Sequence, residues 1–275
     1  MHLGASRPTG EVRVNWFYDL NVAVALPLFV GLFVAASCGI VIALRRPVHR
    51  LVQDPDQWDR VLGHTIGTFG VFFGILLALV AVSVYENYAD TRVATLKEAA
   101  HVAALYRGAA GLPPQTADGL EAALDRYVHV VIDEDWPLQR DGIIPETSTG
   151  RVDEFEDLLH RFEPTNGQEQ ANYIQMLGTF DDFVEARRER IDATTLELPG
   201  LFWAVLWVGA IVNAVLIAFI YVKSLRLHLL MAGLLALFIG LVMFVTADMD
   251  HPYAGAISVG PGAFERVLEQ TIDRE

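Results

Sequence analysis

Four long runs of apolar residues constrain this chain more than any other feature of its sequence. None of them contains Asp, Glu, Lys or Arg, and each has about the 20 residues that a helix needs to cross a hydrocarbon core of about 30 Å. The runs are Val22–Leu44, Ile66–Val84, Leu201–Val222 and Leu227–Ala247. Inside a bilayer the backbone must satisfy its own hydrogen bonds, so each run is predicted to be a helix. The sequence therefore predicts an all-α membrane protein with four transmembrane helices.

The segment between the second and third runs has apolar residues at helical spacing. Its first stripe consists of Val93, Leu96, Ala100, Ala103 and Tyr106, and its last begins with Tyr173, Leu177, Phe180 and Val184. Segments rich in Gly and Pro separate the stripes, and no alternating pattern typical of strands competes with them. The pattern predicts a helical-bundle extramembrane domain whose first helix prolongs the second span.

These observations divide the chain into four parts. Residues 1–85 form a transmembrane hairpin, with spans at about residues 22–44 and 62–85 and a short loop at 45–61. Residues 86–197 form the bundle. Residues 198–247 form a second hairpin, with spans at about 199–222 and 227–247. Residues 248–275 form a tail with an Asp-His-Pro turn and a short amphipathic helix, which could lie on the membrane or dock on the bundle.

The distribution of charge predicts how the chain crosses the membrane. The loop at 45–60 holds four arginines, and the loop between the last two spans holds Lys223 and Arg226 without any acid. Residues 86–197 hold ten basic and twenty-three acidic residues, a net charge of −13. Because short basic loops stay in the cytoplasm, we expect both termini and residues 86–197 to be extracytoplasmic, in the inner membrane of the cell. The acidic surface excludes nucleic acid as a partner.

Small residues recur on the spans at the spacing that lets helices approach closely. Gly31 and Gly39 lie on one ridge of the first span, and two GxxxG pairs, Gly63/Gly67 and Gly70/Gly74, follow on the second. Two interpretations remain open. The glycines pack the spans of one chain together, or they form helix contacts across a homo-oligomer.

Several polar residues are candidates for a binding site. Asn213 lies within the third span and predicts either an interhelical hydrogen bond or an amide that contacts a permeant species. Asp248, Asp250 and His251 end the fourth span and act as a stop signal, or they converge with Glu86 or Glu98 to hold a cation or proton. No second ligand pair has the spacing of a metal site, so no metal is predicted.

Four segments, in order, carry a resemblance to a known family. They are KEAAHVAALYRGAAGLP (Lys97–Pro113), YVHVVIDEDWP (Tyr127–Pro137), LPGLFWAVLWVGA (Leu198–Ala210) and DMDHPYAGAISVGPGAF (Asp248–Phe264). The chain resembles the bestrophin-like domain family of multi-pass membrane proteins from Gly63 to Phe264, with Tyr253 where that family usually has phenylalanine. By this resemblance the family's conserved positions fall on Glu98, Trp136, Asp250, His251, Pro252 and Gly255.

Two kinds of function fit these features. The first is a homo-oligomeric ion channel or permeation pathway in the lipid bilayer, for which the acidic bundle favours cations or protons and the family name favours anions. The second is a membrane-anchored sensor, scaffold or accessory subunit that binds a partner through its bundle. An enzyme is not expected, because no histidine lies at the depth of Ser37 and Cys38 and no phosphate loop or cofactor motif is present. No cofactor is predicted.

Overall fold

A computed structural model describes residues 21–52 and 54–272 of the 275-residue chain. The helices are α1 (Val22–Leu51), α2 (Pro55–Ala109), α3 (Pro114–Val130), α4 (Trp136–Arg140), α5 (Thr149–His160), α6 (Gly167–Asp192), α7 (Gly200–Ala218), α8 (Leu225–Met249) and α9 (Gly262–Val267). Shorter helical turns follow α3, α6 and α9, at Val131–Asp135, Ala193–Thr195 and Leu268–Ile272. No β-strand occurs in these described ranges. The expectations for residues 1–20 and 273–275 lie outside the described residues.

Four helices, α1, α2, α7 and α8, are long and apolar enough to cross a membrane, which confirms the predicted fold class. The second span and the first bundle helix are one helix of 55 residues, as expected, with a length of about 80 Å at about 1.5 Å per residue. The third span ends earlier than predicted, at Ala218. The fourth begins at Leu225, where the Ser224 side chain accepts a hydrogen bond from Leu227 N at 3.4 Å.

Both large and small side chains fill the contacts between the spans. On α2, Phe73, Leu77 and Val80 form one buried stripe, which packs against α7 and α8 at Leu206 and Met243. The first helix, α1, packs against α7 and α8 from the other side, where Val41 is fully buried beside Ala218 and Ala232. The spans of one chain thus form a layer in which α2 occupies one edge.

The predicted packing glycines face away from this layer. A methyl group added at Gly31, Gly39, Gly67, Gly70 or Gly74 would meet no heavy atom within 4 Å. The expectation that they pack the spans of one chain together is therefore wrong. Close packing within the chain uses Gly233 and Gly240 of α8 and Gly209 of α7, each of which faces a side chain of a neighbouring span. Contacts with a second copy of the chain stay a prediction for the outward-facing glycines.

The bundle has a closed hydrophobic core of its own. The second half of α2 packs with α3, α5 and α6 around side chains that are almost completely buried, among them Leu105, Leu120, Tyr127, Phe155 and Phe183. The tail helix α9 docks on this core, with Phe264 fully buried. Of the two locations expected for the tail helix, the bundle is therefore the one observed.

Candidate functional site at the junction of spans and bundle

A buried charged cluster lies inside the bundle, around Arg190 of α6. Its Nε donates a hydrogen bond to Glu98 Oε2 at 2.6 Å, and its Nη2 donates to Asp135 Oδ2 at 3.3 Å. Its Nη1 donates to Gln139 Oε1, and Tyr127 donates its hydroxyl proton to the other oxygen of Glu98. All three charged side chains, those of Arg190, Glu98 and Asp135, have no exposed surface. The cluster therefore joins α2, α3, α6 and the turn before α4.

The electrostatics of this cluster favour a permanent positive charge on the arginine. Burial alone would lower the pKa of Arg190, but the charge and hydrogen bond of Glu98, together with Tyr127 and Tyr253, hold that pKa above its ordinary value. Burial, reinforced by the charge of Glu98, raises the pKa of the Tyr127 hydroxyl well above its ordinary value. Asp135 also accepts hydrogen bonds from Ser148 Oγ at 2.6 Å and Thr147 Oγ1 at 3.0 Å. With its carboxylates engaged in this way, the cluster is built to hold helices together.

Trp136 packs the segment after the fourth span against this cluster. Its ring lies edge-on to Tyr253, with centroids 5.6 Å apart, and the guanidinium of Arg190 lies 5.5 Å from its centroid. The indole Nε1 donates to Val259 O at 3.2 Å, and the Tyr253 hydroxyl donates to Arg190 O at 2.6 Å. The segment that follows the fourth span is thereby fixed against α4 and α6.

Asp248 folds the chain back immediately after the fourth span. Its Oδ1 accepts a hydrogen bond from Ala256 N at 3.1 Å, and its Oδ2 accepts one from Ile257 N at 2.9 Å. Gly255 has φ +89°, and a side chain there would lie 2.8 Å from Asp248 O. Only glycine adopts such a conformation readily in this space. The turn closes where Val259 N donates to the carbonyl of Pro252 at 2.8 Å.

Asp250 ties the end of the fourth span to the start of the third. Its Oδ1 accepts a hydrogen bond from Leu198 N at 2.8 Å, and its Oδ2 accepts one from Trp203 Nε1 at 2.9 Å. Burial raises the pKa of Asp250, against the opposing effect of these two hydrogen bonds. The neighbouring His251 has its Nδ1 3.9 Å from Glu197 Oε2, an ion pair when the histidine is protonated.

The sequence-predicted candidates therefore divide among separate environments. Asp248, Asp250 and His251 lie together at the turn, where the two aspartates accept hydrogen bonds from N–H groups of the chain. Glu98 binds Arg190 and Tyr127 inside the bundle, and Glu86 is exposed on α2. Among residues 21–52 and 54–272, no group of three or more His, Cys, Asp or Glu side chains is arranged to hold a metal ion.

Sequence reasoning missed Arg190, Asp135 and Gln139. A signal for the first was present, because Met176, Phe180, Phe183 and Ala186 form the buried face of α6 and Arg190 continues that face. A cation in a buried stripe requires a buried carboxylate, and the resemblance had already pointed to Glu98.

The membrane half of α2 has an uncovered face with small residues. In the apolar part of α2, 17% of residues are buried, against 39% in α8. Its four glycines, at positions 63, 67, 70 and 74, recur at spacings of four, three and four residues, lie on one side of the helix, and are exposed. Asn213, by contrast, lies inside the layer of spans, where it lines a cavity between α1, α7 and α8.

Comparison with known proteins agrees with this architecture. A bacterial bestrophin homologue from Klebsiella pneumoniae, crystallised as a point variant, superimposes with a TM-score of 0.65 at 13% sequence identity, covering 90% of this chain and 96% of that one. Another variant from the same organism gives 0.63 at 14% identity, covering 90% and 98%. A further membrane protein gives 0.61 at 16% identity, covering 91% and 98%. At these identities the match shows a shared fold.

Comparison with curated proteins found no match. The model of one protein family, described as the Bestrophin-like domain, matches residues 31–264. This range contains the first span from Gly31 onward, the other three spans, the bundle and the Asp-His-Pro turn. It confirms the resemblance carried by the four sequence segments. The chain belongs to the Bestrophin-like domain family.

Proposed function

We propose that this protein is a homo-oligomeric ion channel whose subunits associate through the membrane half of α2. The observation that carries the proposal is the exposed face of α2 that holds Gly63, Gly67, Gly70 and Gly74, in a chain with the bestrophin-like fold. Membership of the Bestrophin-like domain family favours permeation over catalysis.

Helix association in lipid is driven by close packing, because lipid tails compete with any exposed apolar side chain. A stripe of glycines lets two backbones approach, and the stripe on α2 meets nothing within its own chain. Copies of α2 arranged around an axis would bury this stripe. The same helix continues into the bundle as far as Ala109, so the axis would extend from the membrane into a vestibule formed by the bundles.

The charge of the bundle favours cations or protons as the permeant species. Residues 86–197 carry a net charge of −13 in each subunit, and repetition around an axis concentrates that charge at one mouth of the pathway. A field of this sign attracts cations and repels anions, whereas the family name alone would favour anions. The charge belongs to this chain, so we give it the greater weight.

We orient the bundle and the tail toward the extracytoplasmic side of the inner membrane. Arg45 Nη2 donates a hydrogen bond to Lys223 O at 2.9 Å, so the two short basic loops lie together on the opposite side. Clusters of basic residues in short loops stay in the cytoplasm. A cysteine at the exposed Gly150, in a variant that lacks Cys38, tests this orientation with a membrane-impermeant thiol reagent. Labelling in intact cells is expected, and labelling only after lysis would reverse the orientation.

The channel proposal is tested by ion flux through purified protein in liposomes. Under a KCl gradient we expect a conductance whose reversal potential moves toward that of potassium. A reversal potential near that of chloride would overturn cation selectivity and leave the channel intact. No conductance under any gradient would overturn the channel and favour the sensor or scaffold interpretation, which a partner crosslinked to the bundle would then support.

The oligomer is tested with a matched pair of glycine variants. Gly70→Leu places a large side chain on the uncovered face of α2, and Gly31→Leu does the same on α1; both sites are open within the chain. Because the proposal assigns the interface to the glycines of α2 and not to those of α1, we expect Gly70→Leu to lose subunit association and flux, and Gly31→Leu to retain both. Circular dichroism confirms that each variant is folded. An oligomer that persists in Gly70→Leu would show that α2 is not the interface.

A further inference from the structure

A cavity of roughly 180 Å³ lies within the membrane layer, between α1, α7 and α8. Its lining is apolar apart from two polar side chains, Ser37 of α1 and Asn213 of α7, and contains no charged residue. It borders Trp207 and Ile211, which are 42% and 53% exposed on the outer surface of the spans. The cavity is thus accessible from the bilayer and lies away from the glycine face of α2.

The two polar side chains of this cavity lack hydrogen-bond partners, unlike Thr246 and Cys38 in the same layer of spans. Thr246 Oγ1 donates to Val242 O at 2.8 Å, and the Cys38 thiol lies 3.8 Å from Leu229 O. Asn213 and Ser37 are 8% and 7% exposed, and neither side chain forms a hydrogen bond with any residue that the structure describes. A buried amide without a partner in hydrocarbon is costly. The Asn213 amide therefore favours an occupant that forms hydrogen bonds.

The walls of the cavity restrict the chemistry of that occupant. Without a charged lining residue, a charged ligand would leave water and gain no counter-charge. The rings of Trp207 and Phe33 stand side by side, with centroids 6.1 Å apart and an angle of 45° between their planes. Aromatic walls favour a flat ring, and the amide and hydroxyl can both donate a hydrogen bond.

We propose that this cavity binds an uncharged ring compound with carbonyl groups that is dissolved in the bilayer, of the quinone class. Its carbonyl oxygens accept hydrogen bonds from the Asn213 amide and the Ser37 hydroxyl, and its ring packs against Trp207 and Phe33. Its apolar tail leaves toward lipid past Ile211. The proposal concerns binding only, and it does not depend on which ion, if any, the protein conducts.

Binding is tested on the full-length protein in lipid nanodiscs with decylubiquinone as the probe. Trp207 lies at the site, so its fluorescence reports occupancy, and Trp207→Phe identifies the part of the signal that comes from it. We expect saturable quenching in the wild-type protein. Asn213→Leu should weaken binding about tenfold, the effect of losing one buried hydrogen bond. Ser37→Ala should weaken it by a smaller factor, and provides a second test if Asn213→Leu does not fold.

The matched control is Val208→Leu, at a residue that is 60% exposed on the same helix and does not line the cavity. It should bind the probe as the wild-type protein does. Quenching that rises linearly with the quinone, or an equal affinity in Asn213→Leu and the wild-type protein, would overturn the proposal. Failure of the wild-type protein to bind the probe would also overturn the proposal. If Asn213→Leu then also changed the number of subunits, a second copy of the chain, rather than a quinone, would be what covers the cavity.

Discussion

The two halves of α2 are parts of one helix and yet are covered very differently. In the bundle half, Val102, Leu105 and Ala109 have no exposed surface. In the membrane half, Phe72 and Leu79 are 70% and 64% exposed. In water the first half must bury its apolar face within its own chain, whereas lipid solvates the second half at no such penalty. One chain therefore completes the bundle by itself and leaves the membrane half of α2 available to lipid or to other copies.

The two halves are also held in different ways. The bundle half depends on a charged group, Arg190, whose partners come from several helices. The membrane half depends on the shapes of apolar side chains, with Phe73 packed against the glycine at position 209. Removing a charge from the first should therefore have a larger effect than adding a methyl group to the second.

The largest effect is expected from Arg190→Met. The methionine fills similar space but leaves Glu98 and Asp135 buried without their cation, which typically costs about 3–5 kcal/mol. We expect the free energy of unfolding to fall by about this amount. Denaturant unfolding followed by tryptophan fluorescence measures it, because Trp136 packs against the arginine.

Arg188→Met provides the control for this variant, two residues earlier on the same helix. The Arg188 side chain is 84% exposed and lies 3.8 Å from the exposed carboxylate of Asp192. Exposed pairs of this kind contribute little, so its stability should change by at most about 0.5 kcal/mol. Equal stability of the two variants would show that the buried cluster does not hold the bundle together.

An intermediate effect is expected from a pair of glycine-to-alanine variants in the membrane half. A methyl group at position 209 would lie 2.4 Å from the Phe73 ring, so Gly209→Ala should cost about 1–3 kcal/mol as the ring is displaced. Gly70→Ala meets nothing within the chain and should leave the unfolding free energy of the subunit unchanged or slightly higher. Unfolding measurements and native mass spectrometry separate subunit stability from association. Destabilisation of the subunit by Gly70→Ala would show that the face is not free.

The membrane architecture could be predicted from the sequence because a single strong rule governs it. A run of about 20 apolar residues without charge has few alternatives to a spanning helix. The continuity of α2 could be predicted as well, since the chain has no Pro or Gly between Val84 and Gly108. The sequence did not decide whether the tail helix lies on the membrane or on the bundle, because its apolar face, which contains Phe264, suits either surface.

Apart from Arg190, the buried cluster could not be predicted in the same way, because its residues are polar at positions that the apolar pattern assigns to water. The predicted stripe on α2 includes Val93 and Leu96, which are 48% and 42% exposed. The observed stripe contains Thr91, Thr95 and Glu98 instead. Hydrophobic periodicity finds positions that are apolar, and it cannot find a face whose polar groups satisfy one another across helices.

The packing glycines show a second limit of the sequence. Glycine spacing identifies a face where backbones can approach, but it does not identify the partner. Gly209 has no glycine or other small residue four positions away, with Val205 and Asn213 at those places, and yet it contacts Phe73 closely. The regularly spaced glycines of α2 contact nothing in their own chain. Which surface covers a small-residue face depends on the other helices of the fold and of the assembly.

The smallest effect is expected at Asp250, which lies at the boundary between the membrane spans and the bundle. Burial raises the pKa of its carboxyl, with smaller effects from the nearby His251 and Glu197. The native state therefore holds this proton more tightly than the unfolded chain, whose ordinary aspartate pKa is 3.8. It follows that the contribution of Asp250 to stability falls as the pH rises from about 4 through the raised native pKa, and then becomes constant.

Asp250→Asn should lose this pH dependence. Its stability should also be lower at every pH, because an amide cannot accept hydrogen bonds from both Leu198 N and Trp203 Nε1 through two oxygens. The measurement is the unfolding free energy of each variant between about pH 4 and pH 7, the range in which a raised aspartate titrates. Asp181→Asn, at an exposed position on α6, should keep the wild-type slope. If the wild-type protein instead gains stability from Asp250 as the pH rises, the two hydrogen bonds of the Asp250 carboxylate outweigh the effect of its burial. The junction would then resemble the water-exposed surface of the protein rather than its interior.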